Sequence, residues 1–127
     1  NNFKMSRVNR YQQWNSMPYK ERSLYKVYKD IEEKCISGDL PLIISETAQS
    51  YYLTISETKI SRGSNRIGII AACIYYACKE CGVPRSTNEL SSLFQIDNKI
   101  MTKGCKNFTE IMHMSKDPLI EEYAVAS

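Results

Sequence analysis

Asn65-Arg-Ile-Gly-Ile-Ile-Ala-Ala-Cys-Ile-Tyr-Tyr-Ala-Cys-Lys-Glu-Cys81, followed by Gly82-Val83-Pro84, is the stretch whose reading decides the fold. Ile67, Ile69, Ile70, Ala71, Ala72, Cys73, Ile74, Tyr75, Ala77 and Cys78 leave a helix here with almost no polar face. A helix apolar all round has to be surrounded by other elements. The uncharged run from Ile67 to Cys78 falls well short of the roughly 20 residues a membrane span requires, so it predicts a buried helix. Gly82 suits the left-handed position after a helix, and Pro84 prevents its continuation.

Working outward, Ser86-Thr87-Asn88-Glu89 reads as a capping box, in which hydroxyl and carboxylate each take a free backbone donor at a new helix start. Leu90, Leu93 and Phe94 give that short fourth helix an apolar face. Asp97 then caps a fifth helix running to about Met114, before Pro118. Upstream, Pro18 opens a first helix, because the missing N–H of a proline is tolerated there. Leu24, Val27, Tyr28, Ile31 and Cys35 recur at helical spacing and stop before Ser37-Gly38-Asp39. After Pro41, Ile44, Ala48, Tyr51, Tyr52 and Ile55 repeat the stripe in a second helix, with Glu46 and Gln49 among its polar positions. The loop Glu57 to Gly63 leads back to the central stretch.

The expectation is therefore an all-α domain of five helices over residues 18–116, with the third helix as a buried central post. Residues 1–17 lack a sustained period and interleave Lys4, Arg7 and Arg10 with Phe3, Tyr11 and Trp14, as a linker arm does. Residues 117–127 read as the start of a further linker or tail, and the chain as a piece of a longer one.

At 127 residues and 43% hydrophobic content the chain holds one core without help from disulfides or metal. Five cysteines, four of them (Cys35, Cys73, Cys78, Cys105) on apolar helical positions, fit reduced thiols in an intracellular compartment. Cys78-x-x-Cys81 has no second pair to complete the four ligands of a structural zinc, and the sole histidine, His113, lies far off. Gly63 to Gly68 mimics the glycines of a phosphate loop, but Ile69 and Ile70 stand where Lys and Ser or Thr are needed. Those glycines serve a turn and a close helix crossing instead. No acid, base and nucleophile assemble into a catalytic constellation, no cofactor is implied, and no segment suits a membrane.

Net charge is +3, unevenly spread. Residues 1–34 hold eight basic and four acidic side chains, and residues 62–106 seven and three. In the fifth helix Lys99, Lys103 and Lys106 fall within an arc of roughly 60° at about 100° per residue. Ile100, Met101, Gly104, Cys105, Phe108, Ile111 and Met112 lie opposite. Two readings fit this stripe: a solvated lysine face, partly neutralised by Glu110 four residues after Lys106, or a surface for phosphates. Lys99 and Lys103 have no acidic partner at helical spacing, and the short helix, tight turn and basic helix resemble a helix-turn-helix. Gly104 falls on the apolar side and permits close approach of a packed helix. Arg62 and Arg66 at the start of the third helix, and Arg85 in the loop after it, extend the basic set, so one surface is expected to be assembled from three places. Phosphate contact needs only positioned charge. Base reading has little support, since the fifth helix offers Thr102 and Asn107 but no Arg.

The run from Arg62 through Ala71-Ala72-Cys73-Ile74-Tyr75-Tyr76-Ala77-Cys78 to Gly82-Val83-Pro84-Arg85-Ser86, with Asn88-Glu89-Leu90 and Lys103-Gly104-Cys105-Lys106, resembles the first cyclin-like repeat of the transcription factor IIB family. The likeness covers about residues 19–114. It implies a cyclin-like fold and a non-catalytic, monomeric module of a general initiation factor, one that joins promoter DNA bent by the TATA-binding protein to RNA polymerase. By position, Lys99, Lys103 and Lys106 match the basic positions through which the family meets the TATA-binding protein, promoter backbone or polymerase. Arg62 matches a basic site before the third helix, whereas Ser64 stands where relatives often carry another cation. The family's zinc ribbon and second repeat have no counterpart in these residues, and its sequence-reading helix belongs to that second repeat. Abundant Ile, Lys, Asn and Tyr fit an AT-rich genome, as in a large DNA virus or a protist, so the expected place of action is a nucleus or a cytoplasmic viral factory. The alternative is a cyclin-type regulator of a protein kinase, although the Lys and Glu pair such a regulator presents has no clear counterpart.

Overall fold

The computed structural model describes residues 18–59 and 62–114. The arm 1–17, the tail 117–127 and their side chains lie outside the described residues. Five helices follow one another: α1 (Tyr19–Ser37), α2 (Leu42–Thr58), α3 (Gly63–Glu80), α4 (Thr87–Phe94) and α5 (Asn98–Met114). No strand occurs among the described residues, so the all-α expectation holds.

α3 packs against all four other helices and most extensively against α5. Gly68 to Ile74, Ala77 and Cys78 are buried, which is the consequence expected of a helix without a polar face. Ile67 departs from that pattern at 43% exposed: its neighbour Gly68 on the same turn is buried against α5, so one side of α3 is left open at its start. The stripes of α1 and α2 meet it with Val27, Tyr28, Ile31, Cys35, Ile44, Ala48, Tyr51, Tyr52 and Ile55. Gln49, one of the polar positions of α2, is only 7% exposed, and its side-chain amide donates to the Ser45 hydroxyl at 3.1 Å. Pairing two polar groups on adjacent turns removes most of the cost of burying either.

α5 crosses α3 at a pair of glycines. A Cβ on Gly104 would run into the Gly68 backbone, and one on Gly68 would lie 2.7 Å from the Ile100 carbonyl oxygen. Only hydrogen at both positions lets the two backbones touch. Beside this crossing the Phe108 ring stacks on Tyr76 at 4.5 Å between centroids and takes the edge of Tyr51 at 5.3 Å. The Tyr51 hydroxyl in turn donates to Glu80 at 2.8 Å, tying α2 to the end of α3.

The helix ends follow local chemistry. Gly82 is left-handed (φ 75°), and the N–H groups of Gly82 and Val83 bond the carbonyls of Lys79 and Cys78, closing α3. Ser86 and Glu89 form the reciprocal capping box at α4, at 3.0 and 3.1 Å. Asp97 accepts from the Lys99 N–H at 2.9 Å and starts α5. At the end of α1 the left-handed residue is Asp39 (φ 54°) rather than Gly38. Gly38 serves packing instead, since a Cβ there would press on the Leu93 side chain of α4.

Candidate nucleic-acid and partner interface

The connection between α1 and α2 is four residues long, so the helices return antiparallel and the start of α1 lies beside the end of α2. The chain then enters α3 almost at once. Three helix ends therefore converge, and their side chains line a groove of about 620 Å³. Arg62 and Arg66 stand on one wall, Lys20 and Lys59 on the others, and Leu24 and Tyr52 also face the space. The Arg66 guanidinium donates to the Tyr52 hydroxyl, an interaction that favours the phenolate but is outweighed by burial, so the Tyr52 pKa is raised.

Lys103 reaches the other flank of the same helix end. With Ser64, Asn65, Ile100, Gly104 and Asn107 it lines a small notch beside the glycine crossing. Ser64 and Gly68 face α5, while Arg66 is turned about 160° from both around the helix and, with Arg62 just before it, lines the groove. The single assembled surface expected from the sequence is therefore divided: one group of cations in the groove, another on α5. Lys99, Lys103 and Lys106 are exposed and share one side of α5, opposite the buried Met101, Gly104, Phe108, Ile111 and Met112. Among the described residues they form no ion pair, and Glu110 does not engage Lys106.

Arg85 is not brought to Arg62 and Arg66. It follows the far end of α3, an 18-residue helix about 27 Å long, and its guanidinium donates to the Pro84 carbonyl at 3.2 Å. From there it lies close enough to favour the Cys78 thiolate, although burial wins and the Cys78 pKa is raised.

The starts of α3 and α5 differ in how their dipoles are answered. A helix N-terminus carries the positive end of its dipole, and a cation placed there costs stability rather than adding it. Arg62 directly precedes α3, no acidic residue occupies its first turn, and Lys99 is the second residue of α5. At α5 the capping Asp97 carboxylate already answers that positive end, whereas at α3 no side chain caps it. Lys20 and Lys59 are the members of the basic set that the sequence reading passed over. Their signal was present: each is a lysine at a helix end, and a short α1–α2 turn forces those two ends together.

The thiols complete the picture. Cys78 is buried within reach of both Cys35 and Cys81, and the half-buried Cys81 lies 3.5 Å from the Thr47 hydroxyl. Burial pushes the Cys35 thiol up to about 12 and the Cys105 thiol up to about 11, so both stay protonated at neutral pH. His113 is exposed.

Known proteins share this pattern. The family model described as the transcription factor TFIIB repeat matches residues 20–111. A transcription initiation factor IIB-like protein of Acanthamoeba polyphaga mimivirus is 43% identical over 125 residues, covering 90% of this chain and 27% of the relative. Transcription initiation factor IIB of Schizosaccharomyces pombe is 37% identical over 92 residues, covering 72% and 27%. That of Archaeoglobus fulgidus is 32% identical over 79 residues, covering 62% and 24%. The chain thus spans no more than 27% of the length of these curated relatives.

Proposed function

The chain belongs to the transcription factor IIB repeat family, and from that premise we propose that it acts in transcription initiation as a non-catalytic bridge. In this reading Lys99, Lys103 and Lys106 hold phosphates of promoter DNA bent by the TATA-binding protein. Arg62, Arg66 and Lys20, on the other flank of α3, face a protein of the polymerase machinery, and Arg85 makes a separate contact at the far end of α3. The repeat works as a single copy, in a nucleus or a viral factory.

The observation that carries the reading is the outer face of α5: three exposed lysines on one side, without ion pairs among the described residues, on a helix whose other side is locked into the core. Such a face is rigid in position and free in charge, which is what phosphate contact requires. Three phosphate contacts give log affinity a salt slope of about −2.7, at roughly −0.9 per phosphate. Gel shifts with bent promoter DNA and the TATA-binding protein test it. The wild-type chain is expected to supershift the complex and Lys103→Glu to lose most of the supershift; equal supershifts would overturn the reading.

A further inference from the structure

The end of the molecule opposite the basic groove carries most of its exposed apolar side chains. Single apolar residues at a surface are ordinary; a cluster of them marks a contact. Ile36 in the last turn of α1, and Leu42 and Ile43 in the first turn of α2, are 72%, 68% and 52% exposed, with the exposed Pro41 between them in sequence. The four-residue turn from α1 to α2 holds all of them at one end of the helical pair. Leu93 of α4, itself partly exposed, borders this turn, since its side chain lies against Gly38. The core does not use these residues. Its stripes along α1 and α2 run through their buried neighbours Cys35 and Ile44.

The patch is rimmed by acid. Residues 30–46 hold five acidic side chains and one basic one. Lys34 is engaged by Asp30 at 3.0 Å, and Glu32 by Lys29 at 3.8 Å. Glu33, Asp39 and Glu46 are left without an ion pair among the described residues, and Glu33 and Asp39 are exposed. This rim decides between occupants. The phosphates of a nucleic acid, or the anionic headgroups of a membrane, would be repelled by carboxylates around the apolar centre. A second copy packed through the same face would bring two acidic rims together. A cationic polypeptide with apolar side chains on one side matches both parts, its apolar groups covering the centre and its lysines or arginines meeting the rim.

We infer that the α1–α2 turn, with Leu93 beside it, is a docking site for a basic amphipathic segment of a protein partner, whose apolar side chains seat on Ile36, Leu42 and Ile43. The site lies about 25 Å from the Arg62 and Arg66 groove, the length of α2, and carries the opposite charge. It uses none of the cations assigned to bridging, so it stands or falls separately from the α5 lysines.

Fluorescence anisotropy on the full chain tests it, with a labelled amphipathic peptide that carries leucines at helical spacing among lysines. Wild type is expected to bind it. Exchanging the peptide's leucines for serine, or combining Leu42→Ser with Ile43→Ser in the protein, is expected to weaken binding at least about fivefold. Glu33→Gln, Asp39→Asn and Glu46→Gln combined are expected to weaken it about tenfold and to flatten its salt dependence. Asn is chosen at position 39 because it tolerates the left-handed backbone there. Both sets of variants should keep the far-ultraviolet circular dichroism spectrum of wild type, and Lys103→Gln should bind the peptide as wild type does. No binding by wild type, or indifference to the leucines or to either set of substitutions, would overturn the proposal. So would a dimer in sedimentation that Leu42→Ser with Ile43→Ser dissociates, which assigns the patch to a second copy. Faster tryptic cleavage after Arg7 in that variant, without peptide, would overturn it in favour of the chain's own arm. A failed supershift beside intact, leucine-dependent peptide binding supports the proposal and counts against the DNA role of α5 alone.

Discussion

The two faces of α5 are built on opposite principles. The inner face tolerates almost no change: Gly104 touches the Gly68 backbone and Phe108 is clasped between Tyr76 and Tyr51. The outer face, a few ångströms away on the same turns, carries three lysines that contribute nothing evident to the fold. A helix with one face fixed by close packing can present the other as a surface of constant geometry. Stability and binding should therefore respond to different substitutions, and each prediction below tests that separation.

The largest effect is expected from Phe108→Ala, which removes a fully buried ring and should cost about 3–5 kcal/mol in urea unfolding. Gly104→Ala should cost about 1–3 kcal/mol, at the upper end of what overpacking produces, because the obstacle is backbone and cannot rotate aside. If Gly104→Ala unfolds like wild type, the glycine crossing does not hold the two helices. Ser86→Ala, which removes the hydroxyl of the α4 capping box, should cost about 1 kcal/mol. Lys103→Glu should move the unfolding midpoint by no more than about 0.5 kcal/mol, as an exposed substitution without partners does.

Alkaline pH sharpens the same contrast. The Cys35 and Cys105 thiols are raised by burial to about 12 and about 11 in the folded chain, from an ordinary value of 9.0. The unfolded chain releases those protons first, so the stability they contribute is complete below about pH 9 and is lost as pH rises toward the folded values. Urea midpoints should fall between about pH 8 and about pH 10, most steeply for wild type and less so for Cys105→Ala, read as the change in midpoint with pH. A flat profile would mean these thiols are open to solvent.

The five helices were legible because each is bounded by chemistry local to a few residues: Pro18, Gly82 with Pro84, Ser86 with Glu89, and Asp97. The central position of α3 followed from its missing polar face. Even the glycine crossing was half visible, as a Gly on the apolar side of α5 and another in the first turns of α3. What the sequence could not disclose was which distant charges would meet. Arg62 and Arg66 flank Gly63, Ser64 and Asn65 so closely that they read as one surface with Lys103, yet the two arginines line the groove while Ser64 and Asn65 share a notch with Lys103. Arg85 was grouped with them by charge and is separated by the length of a helix. Lys20 and Lys59 were passed over because their convergence depends on the packing of three helices. Ile67 was misjudged for the same reason, as its burial is set by neighbours and not by its own spacing.

The central claim is that the outer lysines of α5 neutralise phosphates while its inner face only holds the fold. Its most direct measurement is the salt dependence of binding to TATA-binding-protein-bent DNA for wild type and for Lys99→Gln, Lys103→Gln and Lys106→Gln combined. The account predicts a slope of log affinity against log salt that is shallower by about 2.7 in the triple variant, at roughly 0.9 per phosphate, with the urea midpoint unchanged. An identical slope in the two proteins would contradict it.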